Sequence, residues 1–145
     1  MLTSAREVKD RCIEAYNRHD IGAMLREFSP AGVLVTPTGI QEGREQVAWY
    51  YAHWFAAFSD LKVTAWMLPT SCDPAVTEFT ITGTHDGPFL LVDGAELPAT
   101  GRRIALRGVS VCTIEDGLIV TDRDYYDQLE LYSQLGLPVG VGVSS

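Results

Sequence analysis

The sequence lacks the features that mark a metalloprotein, a membrane protein or a disulfide-stabilised secreted domain. Its three cysteines (Cys12, Cys72 and Cys112) and its three histidines form no CxxC or HxxxH pair. This spacing predicts three free thiols, two of them in the core, and no metal site. No apolar run reaches the roughly 20 residues of a membrane span. Residues 1–10 contain no basic segment followed by an apolar one, so we expect no signal peptide and a cytoplasmic location.

Positive charge and cofactor-binding motifs are also scarce. Lys and Arg number 11 against 19 Asp and Glu, and the formal net charge is −8 at pH 7. A chain this acidic is repelled by phosphate, which argues against nucleic acid or an anionic membrane as the main partner. Neither a GxGxxG segment nor a P-loop is present, so we expect that no organic cofactor or metal ion is required.

The residues that are present fit one globular domain. The 145 residues are 46% hydrophobic, which is enough to bury a core without disulfides or a metal ion. The sequence contains no internal repeat and no linker. We expect a single domain over residues 1–137 and a flexible C-terminal tail over residues 138–145, because the valine- and glycine-rich ending has little to bury.

Helical patterns fill the first half of the chain. Ser4 and Glu7 have the spacing of a capping box and predict the start of a first helix. Asp20 can cap a second, shorter helix. From about Gly43 a third helix carries a broad stripe of aromatic residues at helical spacing.

The second half changes to an alternation of period two. This pattern, with a short strand before the third helix, predicts strands over residues 33–36, 61–68, 76–85, 102–115 and 118–126. Asp116-Gly117 is typical of a hairpin turn, and Asp127 caps a short last helix. Helices followed by strands predict an α+β fold, in which a curved antiparallel sheet wraps over the three N-terminal helices as a cone with a pocket inside.

Five segments of the second half carry a resemblance to a known family. They are GTHDGPF at 83–89, LPATG at 97–101, IEDGLI at 114–119, RDYYD at 123–127 and QLG at 134–136. With Tyr16-Asn17 and residues 39–43, they make nearly the whole chain resemble the SnoaL-like polyketide cyclase branch of the nuclear transport factor 2-like superfamily. The resemblance implies a cone-shaped α+β barrel, usually dimeric through the outer sheet face. It also implies an apolar pocket and acid/base chemistry without a cofactor or metal.

The resemblance also nominates individual site residues. The aspartate that acts as acid/base in the polyketide cyclases falls on Asp124, on the last predicted strand. A histidine that assists in some members falls on Ser110, so that part of the pattern is missing here. His85 matches the family's histidine at a strand end, and Tyr16 matches a position that influences how the substrate is held.

Each nominated residue also has a plainer interpretation. Asp124 shares a predicted strand face with Leu118 and Val120, where burial would raise the pKa of its carboxyl towards neutrality. The alternative is a solvated Asp124 that pairs with Arg123 or Arg107. His85 lies on an apolar strand face and is either a hydrogen-bonded core residue or a partner of Asp124 in proton transfer.

The remaining candidates are predicted to bind substrate. Tyr16, Tyr50, His53 and Trp54 lie on the helical stripes, where the plain alternative is core packing. Ser110 is small and would leave room for a ligand. Asp127 heads a capping box, so we expect a structural role for it rather than a catalytic one.

Two sister activities of the superfamily fit poorly. Limonene epoxide hydrolase also needs an Arg-x-Asp, where this chain has Phe79 and Ile81. Ketosteroid isomerase needs a Tyr and two Asp, where the matching residues are Cys12, Thr36 and Ser110. Epoxide or lactone hydrolysis is a third and weaker alternative, because it needs a second carboxylate and an Arg in the pocket and the sequence offers no obvious residue for either.

The leading hypothesis is a cofactor-free acid/base enzyme, a lyase or isomerase, that acts on an apolar, carbonyl-bearing small molecule of polyketide-like or polycyclic type. It would abstract a proton next to the carbonyl and allow aldol cyclisation, isomerisation or elimination, with Asp124 as acid/base and His85 in support. The alternative is a non-catalytic ligand-binding or dimerisation module of the same fold. We expect a homodimer, because Val109 and Val111 make the outer sheet face too apolar for full exposure to water.

Overall fold

The computed structural model describes residues 4–67 and 73–138. The helices are α1 (Ala5–Asn17), α2 (Ile21–Glu27), α3 (Gly43–Ala57) and α4 (Gln128–Gln134). The strands are β1 (Phe28–Thr36), β2 (Gly39–Glu42), β3 (Lys62–Met67), β4 (Ala75–Thr84), β5 (Phe89–Leu90), β6 (Glu96–Leu97), β7 (Arg103–Glu115) and β8 (Leu118–Tyr126). Of the predicted tail only Pro138 belongs to the described residues, and Cys72 lies outside them as well.

The three predicted helix caps are confirmed. The Oγ of Ser4 accepts the Glu7 N–H at 3.1 Å, and Asp20 accepts the Ala23 N–H at 3.0 Å. Asp127 accepts the N–H groups of the second and third residues of α4. These side chains satisfy amides that have no partner inside the helix, which is why short local patterns locate the helix starts.

The main sheet has six strands in the order β2-β1-β8-β7-β4-β3. Four of the five pairs are antiparallel, but β1 pairs with β8 in parallel. The predicted curved antiparallel sheet is therefore present as a mixed sheet, in which the β1–β8 pair is the parallel exception. Hairpin patterns fix the direction of strands that follow one another, whereas β1 and β8 are joined through most of the chain. The short strands β2, β5 and β6 were not predicted, because two to four residues carry no period.

A bulge in β8 decides which of its side chains face the core. Thr113 pairs with Thr121, but the next residue, Ile114, pairs with Ile119. The extra residue on β8 shifts the alternation, so that Ile119 and Asp122 are both fully buried although their positions differ by three. Before the bulge, simple alternation predicted Leu118 and Val120 on the core face, but Ile119 lies there in the structure. After the bulge, Asp122 and Asp124 face the core, as the alternation predicted.

The helices pack on one face of the curved sheet and form a single hydrophobic core with it. Asn17 at the end of α1 fastens that helix to β3, because its side-chain amide exchanges two hydrogen bonds with the backbone of Val63, at 3.0 and 2.8 Å. Cys12 and Cys112 are buried free thiols in this core. In the described part of the chain, no helix combines the length and apolarity needed to cross a membrane.

Candidate functional site

A cavity of about 60 Å³ lies between helices α1, α2 and α3 and the sheet. We call it the inner cavity. Its wall is mostly apolar and aromatic, and consists of Lys9, Cys12, Ile13, Tyr16, Met24, Tyr50, Tyr51, Trp54, Val63, Thr77, Phe79, Ile81, Asp124 and Tyr126. One water needs about 10–15 Å³ in such a cavity, so the inner cavity has space for a few water molecules.

Asp124 is the only carboxylate in the described wall of the inner cavity. It lies on β8 directly opposite Ser110 on β7. Its Oδ1 atom is buried and has no hydrogen-bond partner. Among the described residues no arginine pairs with it: Arg107 lies 3.8 Å from Glu130 instead. The geometry therefore differs from the solvated, Arg-paired alternative.

The surroundings of Asp124 favour its protonated form. Burial raises the pKa of its carboxyl most strongly, and the negative charge of Asp122 raises it further, whereas Lys9 lowers it. The net effect raises the pKa to about 8. A carboxyl with this pKa can both give and take a proton near neutral pH.

A buried ion pair stands next to Asp124. The Nζ of Lys9 donates to Oδ2 of Asp122 at 2.9 Å, and the Oγ of Ser110 donates to Oδ1 of the same carboxylate at 2.8 Å. Asp122 is fully buried and Lys9 is 7% exposed. Burial alone would lower the pKa of Lys9, but the carboxylates of Asp122 and Asp124 outweigh it and raise that pKa above its usual value. Lys9 therefore stays charged and holds Asp122 in place.

Sequence reasoning missed both members of this pair. Lys9 lies four residues after Ala5 and three before Cys12, both buried, so it occupies the core-facing stripe of α1. A lysine on such a stripe signals a buried partner, because burying an ammonium alone is too costly. Asp122, two residues before Asp124 on the same strand, was the available partner.

His85 is fully buried at the end of β4, but it is not part of the inner cavity wall. Its Nδ1 accepts the Thr100 N–H at 3.1 Å and lies 2.9 Å from the Thr100 hydroxyl. The ring packs against Phe58 and Phe89, and burial lowers its pKa. The structure thus does not bring His85 and Asp124 together, and a catalytic role for His85 stays a prediction.

Three of the five predicted substrate-binding residues line the inner cavity. They are Tyr16, Tyr50 and Trp54. The hydroxyl of Tyr50 lies 3.2 Å from that of Tyr126, so the two phenols share a hydrogen bond at the wall. Ser110 is buried, but its hydroxyl is bound to Asp122 rather than directed at a ligand.

His53, the fifth, lies in a separate surface cleft of about 210 Å³, which we call the outer cleft. The Nε2 of His53 accepts the Leu90 N–H at 2.9 Å, and its ring stacks on Trp49. Tyr50 and Trp54 contribute to both the outer cleft and the inner cavity, so these two side chains form the partition between them.

Phe79 provides part of the cavity wall because of a close backbone approach. It faces Gly108 across the β4–β7 pair. A Cβ at position 108 would lie 2.6 Å from the Phe79 ring, so only glycine at this position allows the ring to pack over β7.

No three potential metal-ligating side chains come together in residues 4–67 and 73–138.

Comparisons with known proteins agree with this fold. A family model for SnoaL-like polyketide cyclase matches residues 6–135. No curated protein sequence matches the chain.

Solved structures match over nearly the full length. A SnoaL-like protein from Jannaschia sp. CCS1 is 23% identical, with a TM-score of 0.80 and 92% of each chain covered. TsrD from Streptomyces laurentii is 29% identical, with a TM-score of 0.79 over 95% of this chain and 100% of its own. A protein of ketosteroid isomerase-like fold from Catenulispora acidiphila, in complex with trimethylamine, is 22% identical, with a TM-score of 0.74 and coverages of 91% and 94%.

Proposed function

The chain belongs to the SnoaL-like polyketide cyclase family, and from this premise we propose that it is an acid/base enzyme that abstracts a proton next to the carbonyl of an apolar small molecule. The observation that carries the proposal is the unpartnered Oδ1 of Asp124 in an otherwise largely apolar cavity. An isolated buried carboxyl is costly to the fold, and such groups concentrate at functional sites.

The proposed reaction uses Asp124 twice. As a carboxylate it takes a proton from the carbon next to the substrate carbonyl, and the C–H electron pair moves into an enolate. The enolate carbon then attacks a second carbonyl of the same molecule, or the double bond shifts, or a leaving group departs. The protonated Asp124 returns its proton to the new alkoxide, to carbon or to the leaving group, so the enzyme ends unchanged.

The phenols of Tyr50 and Tyr126 are the proposed donors to the enolate oxygen. Burial raises the pKa of both, that of Tyr126 to about 12, so both stay neutral donors at working pH. Because one phenol donates to the other, the O–H of the second phenol can donate to a ligand oxygen. A preformed donor in a largely apolar cavity stabilises developing charge more than water does.

The size of the inner cavity adds a requirement. Ligand sites usually measure about 300–1,000 Å³, whereas this cavity measures about 60 Å³. A polycyclic substrate therefore requires the wall to move, and the partition formed by Tyr50 and Trp54 separates the inner cavity from further space in the outer cleft.

The alternative of a non-catalytic module keeps the same fold and pocket. Such a module would hold Asp124 at the rim or in an ion pair. The buried Oδ1 without a partner supports the enzyme instead. Hydrolysis by two carboxylates would need a second carboxylate beside Asp124, and Asp122 is the nearest candidate. Both oxygens of Asp122 are already bound, however, by Lys9 and by Ser110, and Asp122 is absent from the described cavity wall.

The pH dependence provides a test that does not require the natural substrate. We expect the protein to catalyse hydrogen–deuterium exchange at the α-carbon of cyclohexanone in D₂O, measured by proton NMR. Because the carboxylate is the base, the rate should rise by about tenfold per pH unit below the pKa of Asp124 and level off above about 8. A rate that falls as the pH rises from 6 to 8 would contradict the assignment.

The Asp122→Asn variant is the control for the origin of this pKa. It removes the negative charge that raises the pKa of Asp124, so the midpoint of the rate profile should move to lower pH. An unchanged midpoint would mean that Asp122 does not act on Asp124. NMR titration of the Asp124 carboxyl measures the same shift directly.

We also propose a homodimer formed through the outer sheet face. Trp66 on β3 and Tyr125 on β8 are 68% and 56% exposed, and Tyr125 lies opposite the predicted contact residue Val109. Light scattering should therefore give twice the chain mass of 15.9 kDa. Trp66→Glu should give the monomer mass, whereas the same change at Trp49, which is 58% exposed on α3, should not. A wild-type mass near that of one chain at micromolar concentration would contradict the dimer.

A further inference from the structure

Thr77 on β4 presents a second polar atom of the inner cavity wall that lacks a partner. Its side chain is fully buried, and its Oγ1 has no hydrogen-bond partner. Thr77 lines the same cavity as Asp124. An unpaired buried hydroxyl destabilises a fold, because it has lost its hydrogen bonds to water. Valine has the same shape without this cost, so the hydroxyl needs a reason outside packing.

The strand register places Thr77 and Asp124 at the two ends of one row of polar side chains. Thr77 pairs with Ser110 on β7, and Ser110 pairs with Asp124 on β8. The Ser110 hydroxyl in the middle of the row is bound to Asp122. Only the two ends of the row therefore offer a free polar atom. Neighbouring strands are about 4.8 Å apart, so the Cα atoms at the two ends are separated by about 10 Å.

We propose that Thr77 is a second oxygen subsite of the inner cavity, and that the ligand is a cyclic ketone with another oxygen at the opposite end of its ring. This inference rests on the proposed function, in which the ketone lies beside Asp124. At one end the α-carbon of the ketone lies beside Asp124, and at the other a hydrogen bond of about 2.8 Å from the Thr77 hydroxyl reaches the second ligand oxygen, roughly one ring width away from that carbon. The apolar side chains of Phe79 and Ile81, on the same strand as Thr77, would contact the ring.

A pair of isomeric probes tests the subsite. The two compounds 4-hydroxycyclohexanone and 2-hydroxycyclohexanone have the same atoms, but only the first carries its hydroxyl opposite the carbonyl. Titrations followed by protein NMR should show that wild type binds the 4-hydroxy isomer roughly 2- to 10-fold more tightly, the weight of one neutral hydrogen bond. Thr77→Val should abolish this preference, and Thr77→Ser should keep it.

Urea unfolding of the free protein provides a second readout. Because Thr77→Val removes an unpaired hydroxyl, it should leave the unfolding midpoint unchanged or raise it. If it lowers the midpoint clearly, the hydroxyl has a partner within the protein and the proposal is wrong. If the valine variant does not fold, that outcome likewise overturns the proposal, and comparison of Thr77→Ala with Thr77→Ser checks it independently.

The outcomes separate this proposal from the proposed function. Equal affinities for the two isomers, or no binding of the 4-hydroxy isomer, would overturn the subsite even if cyclohexanone exchange depends on Asp124. A preference that depends on Thr77 in a protein without exchange activity would support the subsite and reject the acid/base function. Asp124→Asn should retain the preference between isomers, because it leaves the Thr77 hydroxyl in place.

Discussion

Replacing Asp124 with Asn is expected to lower the rate of α-proton exchange by roughly two to four orders of magnitude, the usual weight of a general acid/base. Asn has nearly the same size and can still form hydrogen bonds, but it cannot take a proton. The fold should remain intact, and the unfolding midpoint at pH 7 should change little, because the neutral amide has nearly the same shape as a carboxyl that is mostly protonated at this pH. Exchange into cyclohexanone, measured by proton NMR, gives the rate.

Asp127→Asn is the matched control, three residues further along the chain. Asp127 caps α4 by accepting the Leu129 N–H at 2.9 Å. Asn is a comparably good cap, so this variant should keep its exchange rate within about twofold of wild type. If Asp124→Asn keeps its activity, or if both variants lose it equally, Asp124 is not the acid/base and the non-catalytic module becomes the better account.

The elements that the sequence predicted well are those specified by neighbouring residues. Ser4, Asp20 and Asp127 each sit within three residues of the amides that they cap. Long alternating segments likewise predicted β4, β7 and β8 to within one residue at each end. The parallel pairing of β1 with β8 and the bulge in β8 depend on contacts between distant segments, which no local pattern contains.

The same distinction between local patterns and contacts of distant segments applies to the candidate site. Asp124 could be found from the family resemblance and from its place on a strand. The pairing of Asp122 with Lys9 could not be predicted, because the two residues are 113 positions apart in the sequence. His85 illustrates the opposite case: its apolar strand face correctly indicated burial, but burial does not say which cavity a side chain reaches. In the structure its partner is Thr100, in the loop after β6.

The Lys9–Asp122 pair also explains how a carboxyl such as Asp124 can remain unpaired in the core. Two adjacent buried carboxylates would repel each other strongly. Lys9 neutralises Asp122, and Ser110 binds its other oxygen. With Asp124 protonated at neutral pH, the cluster has no net charge. A neutral, hydrogen-bonded cluster is tolerated in a protein interior, whereas two unpaired carboxylates are not.

Replacing Lys9 with Met is expected to destabilise the protein by about 3–5 kcal/mol, the usual effect of removing one member of a buried ion pair. Asp122 would then remain fully buried without its counter-ion. Urea unfolding at pH 7 measures the change. Adding Asp122→Asn to this variant should recover most of the loss, since the amide carries no charge and can still accept from Ser110.

An exposed ion pair on the same helix is the control for the Lys9 variant. Arg11 lies 2.7 Å from Glu27, and its side chain is 47% exposed. Exposed pairs contribute about 0–1 kcal/mol, so Arg11→Met should have a small effect. If Lys9→Met costs no more than Arg11→Met, the Lys9–Asp122 pair does not hold the site together. If the double variant is as unstable as Lys9→Met alone, the loss comes from packing of the lysine side chain rather than from the unpaired charge of Asp122.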